Sequence, residues 1–169
     1  MGVTVHFEGK LRGEQAYADL LRRVEETAKT KTWLTEKFES SEVTLLRVRG
    51  EEEWDYKGPT KGIILYVDEG CDPVCLEFDR DLYLQEFVKT QFAGVPAHLE
   101  LIALLRDLQK FFEDLKVEDE GEYWDTGNEA VLAEHMRRCD EMIAAEARKN
   151  PSAQVQVRTP DGRWMDILK

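Results

Sequence analysis

The chain has 169 residues, 42% of them hydrophobic and 34% charged, with a formal net charge of −12; that is enough for one domain that buries roughly 70% of the surface its unfolded chain exposes. An acidic balance of this size repels phosphate backbones and anionic lipid heads, so nucleic acid and membrane are excluded as expected partners, and a basic protein, a polyamine or a divalent cation is favoured. No apolar run approaches the roughly 20 residues that span a bilayer, and Met1 to Lys10 alternates apolar and polar residues where a secretory signal would be continuously apolar, so the expected compartment is the cytoplasm.

Residues 3–8 place Val3, Val5 and Phe7 on one side and Thr4, His6 and Glu8 on the other, which predicts a half-buried strand. From Gly13 to Lys29, Tyr17, Leu20, Leu21, Val24 and Ala28 recur at helical spacing and predict an amphipathic helix, after which Trp33, Leu34 and Phe38 read as a connection. Three strands follow, at residues 43–49, 62–68 and 74–79. The last two are joined through the turn formers Glu69-Gly70-Cys71-Asp72-Pro73 as an antiparallel hairpin. The segment from Trp54 to Gly62 reads as a loop between strands. Its Gly58-Pro59-Thr60-Lys61-Gly62 lacks the spacing of a phosphate loop and leads into no helix.

Tyr83, Leu84, Phe87 and Val88 predict a short helix running toward Thr90. From Pro96 a second major helix carries Leu101, Ile102, Leu104, Leu105, Leu108, Phe111, Phe112 and Leu115, an apolar face wide enough to make it the most buried element. Alternation over residues 115–123 suggests a strand. Thr126-Gly127-Asn128-Glu129 has the form of a capping box, with Asn128 as a competing cap. Val131, Leu132, His135, Met136, Cys139, Met142 and Ile143 trace the inner stripe of a third helix ending before Pro151. Residues 154–158 and 163–168 flank Thr159-Pro160-Asp161-Gly162 as a terminal hairpin. The expected fold is α+β: a mostly antiparallel sheet packed against two long amphipathic helices, with a C-terminal hairpin.

The charge is concentrated. Residues 113–125 carry seven carboxylates against the single base Lys116, a net of −6 and half of the chain's total. Tyr123 and Trp124 inside the run mark it as a folded surface and not a disordered tail. Were Glu77 and Asp79 of the third strand neighbours of Glu120, Glu122 and Asp125, mutual repulsion would raise some carboxylate pKa values and create an acid–base pair or an oxygen-ligand cation site. The bland alternative is a solvated edge whose charges discourage pairing between molecules. Trp54 and Tyr56 in the loop, and Tyr123 and Trp124 before a helix, place large rings beside polar groups, as a recognition surface does and as packing under a loop does equally.

Cys71, Cys75 and Cys139 are an odd set, expected as reduced thiols; the C-x3-C pair lacks a second ligand pair, so no metal and no cofactor is expected. His135 and Cys139 share a helical face, but it is the apolar stripe, where a thiol behaves as a small hydrophobe. Two functional readings result. The first is a non-enzymatic, inhibitor-like protein that binds a basic partner through Trp54, Tyr56, Glu77, Asp79, Glu120, Glu122, Tyr123, Trp124 and Asp125. The alternative is a small hydrolase-like or cation-binding enzyme using Glu77, Asp79, Glu120 and Asp125 as paired carboxylates.

Overall fold

A computed structural model describes residues 2–168, with the backbone alone at Leu168; Met1 and Lys169 lie outside the described residues. In chain order the elements are β1 (Thr4–Leu11), α1 (Glu14–Lys31), β2 (Leu34–Arg49), β3 (Glu52–Tyr66), β4 (Val74–Phe78), β5 (Tyr83–Lys89), α2 (Val95–Leu108), β6 (Phe112–Asp119), α3 (Tyr123–Thr126), α4 (Glu129–Lys149), β7 (Gln154–Arg158) and β8 (Trp164–Leu168). The strands pair antiparallel in sheets ordered β5-β1-β6, β2-β3-β4 and β7-β8. The mixed α+β class therefore holds, while a single sheet under two long helices does not. The described strands divide into separate sheets, and helices of 18, 14 and 21 residues accompany the four-residue α3.

Alternation along β1 sends Val5, Phe7 and Leu11 into the core and His6 and Lys10 to solvent. The buried stripe of α1, Leu20, Val24 and Ala28, follows the helical period. On α2, Ala97, His98, Leu101, Ile102, Leu104, Leu105 and Leu108 are all buried, so this helix is sequestered on most of its circumference. The β1 side chains, Leu20 and Val24 of α1, and Leu101, Ile102, Leu104, Leu105 and Leu108 of α2 join Ile63 and Leu65 of β3, Val74, Leu76 and Phe78 of β4, and Leu84 and Val88 of β5 in one apolar cluster. Val3, Leu132 and Met136 form a smaller cluster under α4.

Several local expectations are corrected, each by a tertiary partner. Residues 83–89 are a strand and not a helix, because β1 supplies a hydrogen-bonded neighbour. Their alternation was hidden by Glu86, a carboxylate on the same side as the buried Leu84 and Val88. The second major helix stops at Leu108, one 3₁₀ turn precedes β6, and Phe112 and Leu115 are buried from a strand. Positions 108, 112 and 115 carry the helical spacing; the unpaired edge of β1 draws the chain into a strand instead, and a bulge where the register skips from Leu11↔Phe112 to Lys10↔Asp114 keeps Phe112 and Leu115 on the same face. Residues 34–38, read as a connection, open β2, and residues 54–62, read as a loop, lie inside β3.

Pro59 is tolerated inside β3 because it sits where the ladder skips from Ser40↔Thr60 to Val43↔Gly58, so its missing N–H costs no ladder bond. Gly58 has φ 154°, and a Cβ there would lie 2.2 Å from Arg80 Nη2 and 2.7 Å from Tyr56 Oη, so only glycine fits. Met142, placed on the inner stripe of the third helix, is 52% exposed. Cys139 is half-buried, and His135 turns outward to Glu122.

The cap of α4 is Asn128, whose Oδ1 accepts from Ala130 N–H at 3.0 Å and Val131 N–H at 3.4 Å. Thr126 instead belongs to α3, where its hydroxyl donates to the Glu122 carbonyl and accepts from Asn128 N–H. Asn128→Ala should lower stability by about 1 kcal/mol in urea melts, with Thr126→Ala smaller; the reverse order would restore Thr126 as the cap.

Candidate functional site

Two hairpins meet over the unpaired edge of β5. Consecutive in the chain, β4 and β5 belong to different sheets. Asp79 fastens the turn between them: its Oδ1 accepts from Asp81 N–H at 2.9 Å and Tyr83 N–H at 3.1 Å, and its own N–H donates to the Tyr83 carbonyl at 3.0 Å. The outward carbonyls of β5 then need donors, and two guanidinium groups supply them. Arg47, 3% exposed, donates to the carbonyls of Gln85 at 3.3 Å and Tyr83 at 3.4 Å, lies 3.5 Å from Asp79 Oδ2, and stacks its Cζ 5.3 Å from the Tyr83 ring centroid. Arg163, from the C-terminal hairpin, donates to the Phe87 carbonyl at 2.9 Å and to Glu86 at 2.7 Å. Burial raises the pKa of Glu86, with Arg163 acting against the rise.

Asp72 extends the lock on the C-terminal hairpin. It is 1% exposed and accepts from Trp164 N–H at 2.7 Å and from Lys89 N–H at 3.0 Å. Beside this cluster, burial and the carboxylates Glu86 and Glu77 push the Cys75 thiol up to about 12, which leaves it a poor nucleophile at neutral pH.

The distal half of the β2–β3 hairpin, beyond the bulge after Ser40, forms an arm laid toward β5. The Gln85 side-chain amide fastens its tip like a rung of sheet: Oε1 accepts from Val48 N–H at 2.8 Å and Nε2 donates to the Val48 carbonyl at 2.6 Å. Residues directly opposite in this ladder share a face. Leu45, Arg47, Trp54 and Tyr56 therefore lie on one side; Leu46 opposite Asp55, and Val48 opposite Glu53, lie on the other. Leu46 is 61% exposed, Val48 41% and Trp54 39%, and Glu51, Glu52, Glu53 and Asp55 fringe them against Arg49 and Lys57. The Arg49 guanidinium lies 5.2 Å from the Trp54 ring.

The nine residues expected at a site separate into three places. Trp54 and Tyr56 are on the arm, but the Tyr56 hydroxyl is committed, donating to the Pro59 carbonyl at 2.7 Å and accepting from Arg80 N–H at 3.1 Å. Glu77 lies in β4 and Asp79 directly follows it; Glu77 accepts from the Thr60 hydroxyl at 2.7 Å, and Asp79 is buried with Arg47. Glu120, Glu122, Tyr123, Trp124 and Asp125 follow β6, which pairs with β1 and not with β4, so the neighbourhood assumed for the carboxylates is not formed. Glu120 accepts from Thr4 N–H at 2.9 Å, and Glu122 pairs with His135. Tyr123 and Trp124 are half-buried against the core, and the Arg106 guanidinium lies over both, 5.7 and 5.5 Å from their rings.

Asp79 lines a cavity of about 620 Å³ with Thr60, Lys61, Phe78 and Arg80; Glu77 and the acidic segment do not reach it. Lys61 is already held there, 2.7 Å from Glu14 and 4.3 Å from the Tyr17 ring centroid. A second cavity, of about 380 Å³, lies on the outer face of β5-β1-β6 between Glu8, Lys10, Arg49, Tyr83 and Lys116. Burial and the hydrogen bond to Glu8 push the Tyr83 hydroxyl up to about 12. Burial also opposes the charge on Glu8, but bonds from Tyr83 and Gln85 outweigh it and hold that carboxyl below the usual range.

A Thr90–His98–Asp119 relay has the residue types of a hydrolytic triad but not its access. The Thr90 hydroxyl is 2.8 Å from His98 Nδ1, His98 Nε2 is 3.1 Å from Asp119 Oδ2, and the side chains of His98 and Asp119 are fully buried. Asp119 also accepts from Gly121 N–H at 2.7 Å and Trp124 N–H at 2.9 Å, so the relay anchors α2 and α3 to the end of β6. Among the described residues no group of three or more His, Cys, Asp or Glu side chains is arranged to hold a metal ion, and no helix is long and apolar enough to cross a membrane.

Sequence patterns did not single out Leu46, Arg47 and Val48. The run Val43-Thr44-Leu45-Leu46-Arg47-Val48 is apolar on both faces, and the strand period alone does not say which face is covered. A lone arginine inside such a run was the available signal. Comparison with protein-family models, curated proteins and solved structures finds no match to this chain.

Proposed function

We propose that this protein is a non-enzymatic interaction protein whose β2–β3 arm engages a basic protein partner. The supporting observation is an arm that exposes Leu46 and Val48 on one face and Trp54 on the other, fringed by Glu51, Glu52, Glu53 and Asp55. Exposed apolar groups rimmed by charge of one sign suit a partner of opposite sign, with the apolar groups as anchors and the charge accelerating encounter. Glu120, Glu122 and Asp125, on a separate part of the surface, add to the negative potential that draws such a partner without touching it. Tyr123 and Trp124 support that segment from beneath.

Immobilised wild-type protein and the double variant Leu46→Ser, Trp54→Ala should be compared for protein capture at low and at high salt. A basic partner is expected on the wild type at low salt, eluting as salt rises, with capture by the variant reduced about thirtyfold or more if each anchor supplies at least ~1 kcal/mol. Equal capture by the variant, or capture indifferent to salt, refutes the reading. Both substitutions fall at exposed positions, so unchanged melting of the variant is the required control.

A further inference from the structure

We infer that the arm receives its partner as an added β-strand, pairing with the free edge of β2 at Thr44 and Leu46; the inference rests on the basic-partner reading above and specifies how that partner binds. β2 is the outer strand of its sheet, with β3 as its paired neighbour. The direction of its backbone groups follows from Val48, whose N–H and carbonyl both turn away from β3 to meet the Gln85 amide. With a period of two, the N–H and carbonyl groups of Leu46 and Thr44 turn the same way. Gln85 thus already fills one rung of a strand-like ladder, and at the next two rungs, on the exposed residues Leu46 and Thr44, the outward backbone groups meet no protein partner among the described residues.

The chemistry of the visitor follows from what lies beside those rungs. Leu46 and Val48 stand next to the edge, and Asp55 and Glu53 stand directly across from them, one strand further in. A lysine or arginine on the added strand would lay its apolar stem along Leu46 or Val48 and carry its cation to those carboxylates, as amphipathic side chains do elsewhere. A glutamate in the same place would meet repulsion. The occupant is therefore an extended segment of a basic protein with Lys or Arg at alternate positions, and neither a helix nor a second copy of this acidic chain.

The probes are a peptide alternating Lys and Val, its Glu–Val counterpart, and the Lys–Val peptide N-methylated at alternate residues so that its backbone cannot pair. Fluorescence anisotropy at low salt should show the Lys–Val peptide binding about tenfold or more tightly than the N-methylated form, a difference equivalent to one or two hydrogen bonds. Hydrogen exchange should slow at Thr44 and Leu46 in its presence, and the Glu–Val peptide should not bind. Equal binding by the N-methylated peptide, with loss in the Leu46→Ser, Trp54→Ala variant, would overturn strand addition while leaving the basic-partner reading standing. No binding by either cationic peptide would overturn strand addition, and the salt-resolved capture experiment then judges the wider reading separately. Protection of Thr44 and Leu46 that rises with protein concentration alone would make a second copy the occupant and refute the inference.

Discussion

Arg47→Ala should lower stability by about 3–5 kcal/mol, the usual consequence of stripping one partner from a buried charged pair. The side chain is 3% exposed, and its removal leaves Asp79, 8% exposed, without the cation that faces it. It also frees the carbonyls of Tyr83 and Gln85 on the edge of β5, although Tyr83 retains the bond from Asp79 N–H. Arg47→Lys should recover only part of the loss, because a single ammonium cannot reach two carbonyls and a carboxylate as a planar guanidinium does. The pair itself is not an optimal arrangement. Arg47 Nε is buried with no hydrogen-bond partner among the described residues, and the contact with Asp79 is long at 3.5 Å. The double variant Arg47→Met, Asp79→Asn should therefore be more stable than Arg47→Ala, since it buries no unpaired charge. Urea midpoints at constant m-value measure all of these; a loss below about 1 kcal/mol for Arg47→Ala would mean that water replaces the guanidinium freely.

The second large effect is expected at Asp119. Asp119→Ala should cost about 3 kcal/mol, because it deprives buried His98 of the partner at its Nε2 and leaves the amides of Gly121 and Trp124 without an acceptor. The same network predicts a pH dependence. Burial works against the charge of Asp119, but hydrogen bonds from His98, Trp124 and Gly121 outweigh it, so the carboxyl sits below its ordinary value. A folded-state pKa below the unfolded value of about 3.9 contributes stability that is fully present above that value and is lost as pH falls through the folded pKa. Asp119→Asn should accordingly flatten the acid limb of the stability profile below about pH 4. An unchanged acid limb would place the acid sensitivity elsewhere in the chain. Thr90→Val should be milder, since it removes the hydroxyl's contacts with His98 and the Val3 carbonyl and leaves the His98–Asp119 bond intact.

Both effects lie at positions where local patterns were least informative. Arg47 stands in a run that otherwise reads as a plain strand, and Asp119 stands in a charge run that reads as solvated surface. Each is buried because a partner arrives from elsewhere: Asp79 is 32 residues from Arg47, and His98 is 21 residues from Asp119. The residues singled out for their charge density behave differently. Glu120 and Glu122 stay exposed although each has a partner, one with Thr4 at the start of β1, 116 residues away, and one with His135 on α4.

Composition, period and turn chemistry by themselves determined the alternation of β1, the buried stripe of α1, the β3–β4 hairpin, the α4 helix and the terminal hairpin, because each depends on residues within a few positions of one another. Only the tertiary structure decided that residues 83–89 extend, that β6 begins at Phe112, and that Leu46, Val48 and Trp54 stand exposed beside an acidic row. Backbone groups must be paired or solvated, and charges can be buried only against partners. Both requirements are met by segments far apart in the chain, so no window of sequence contains the answer.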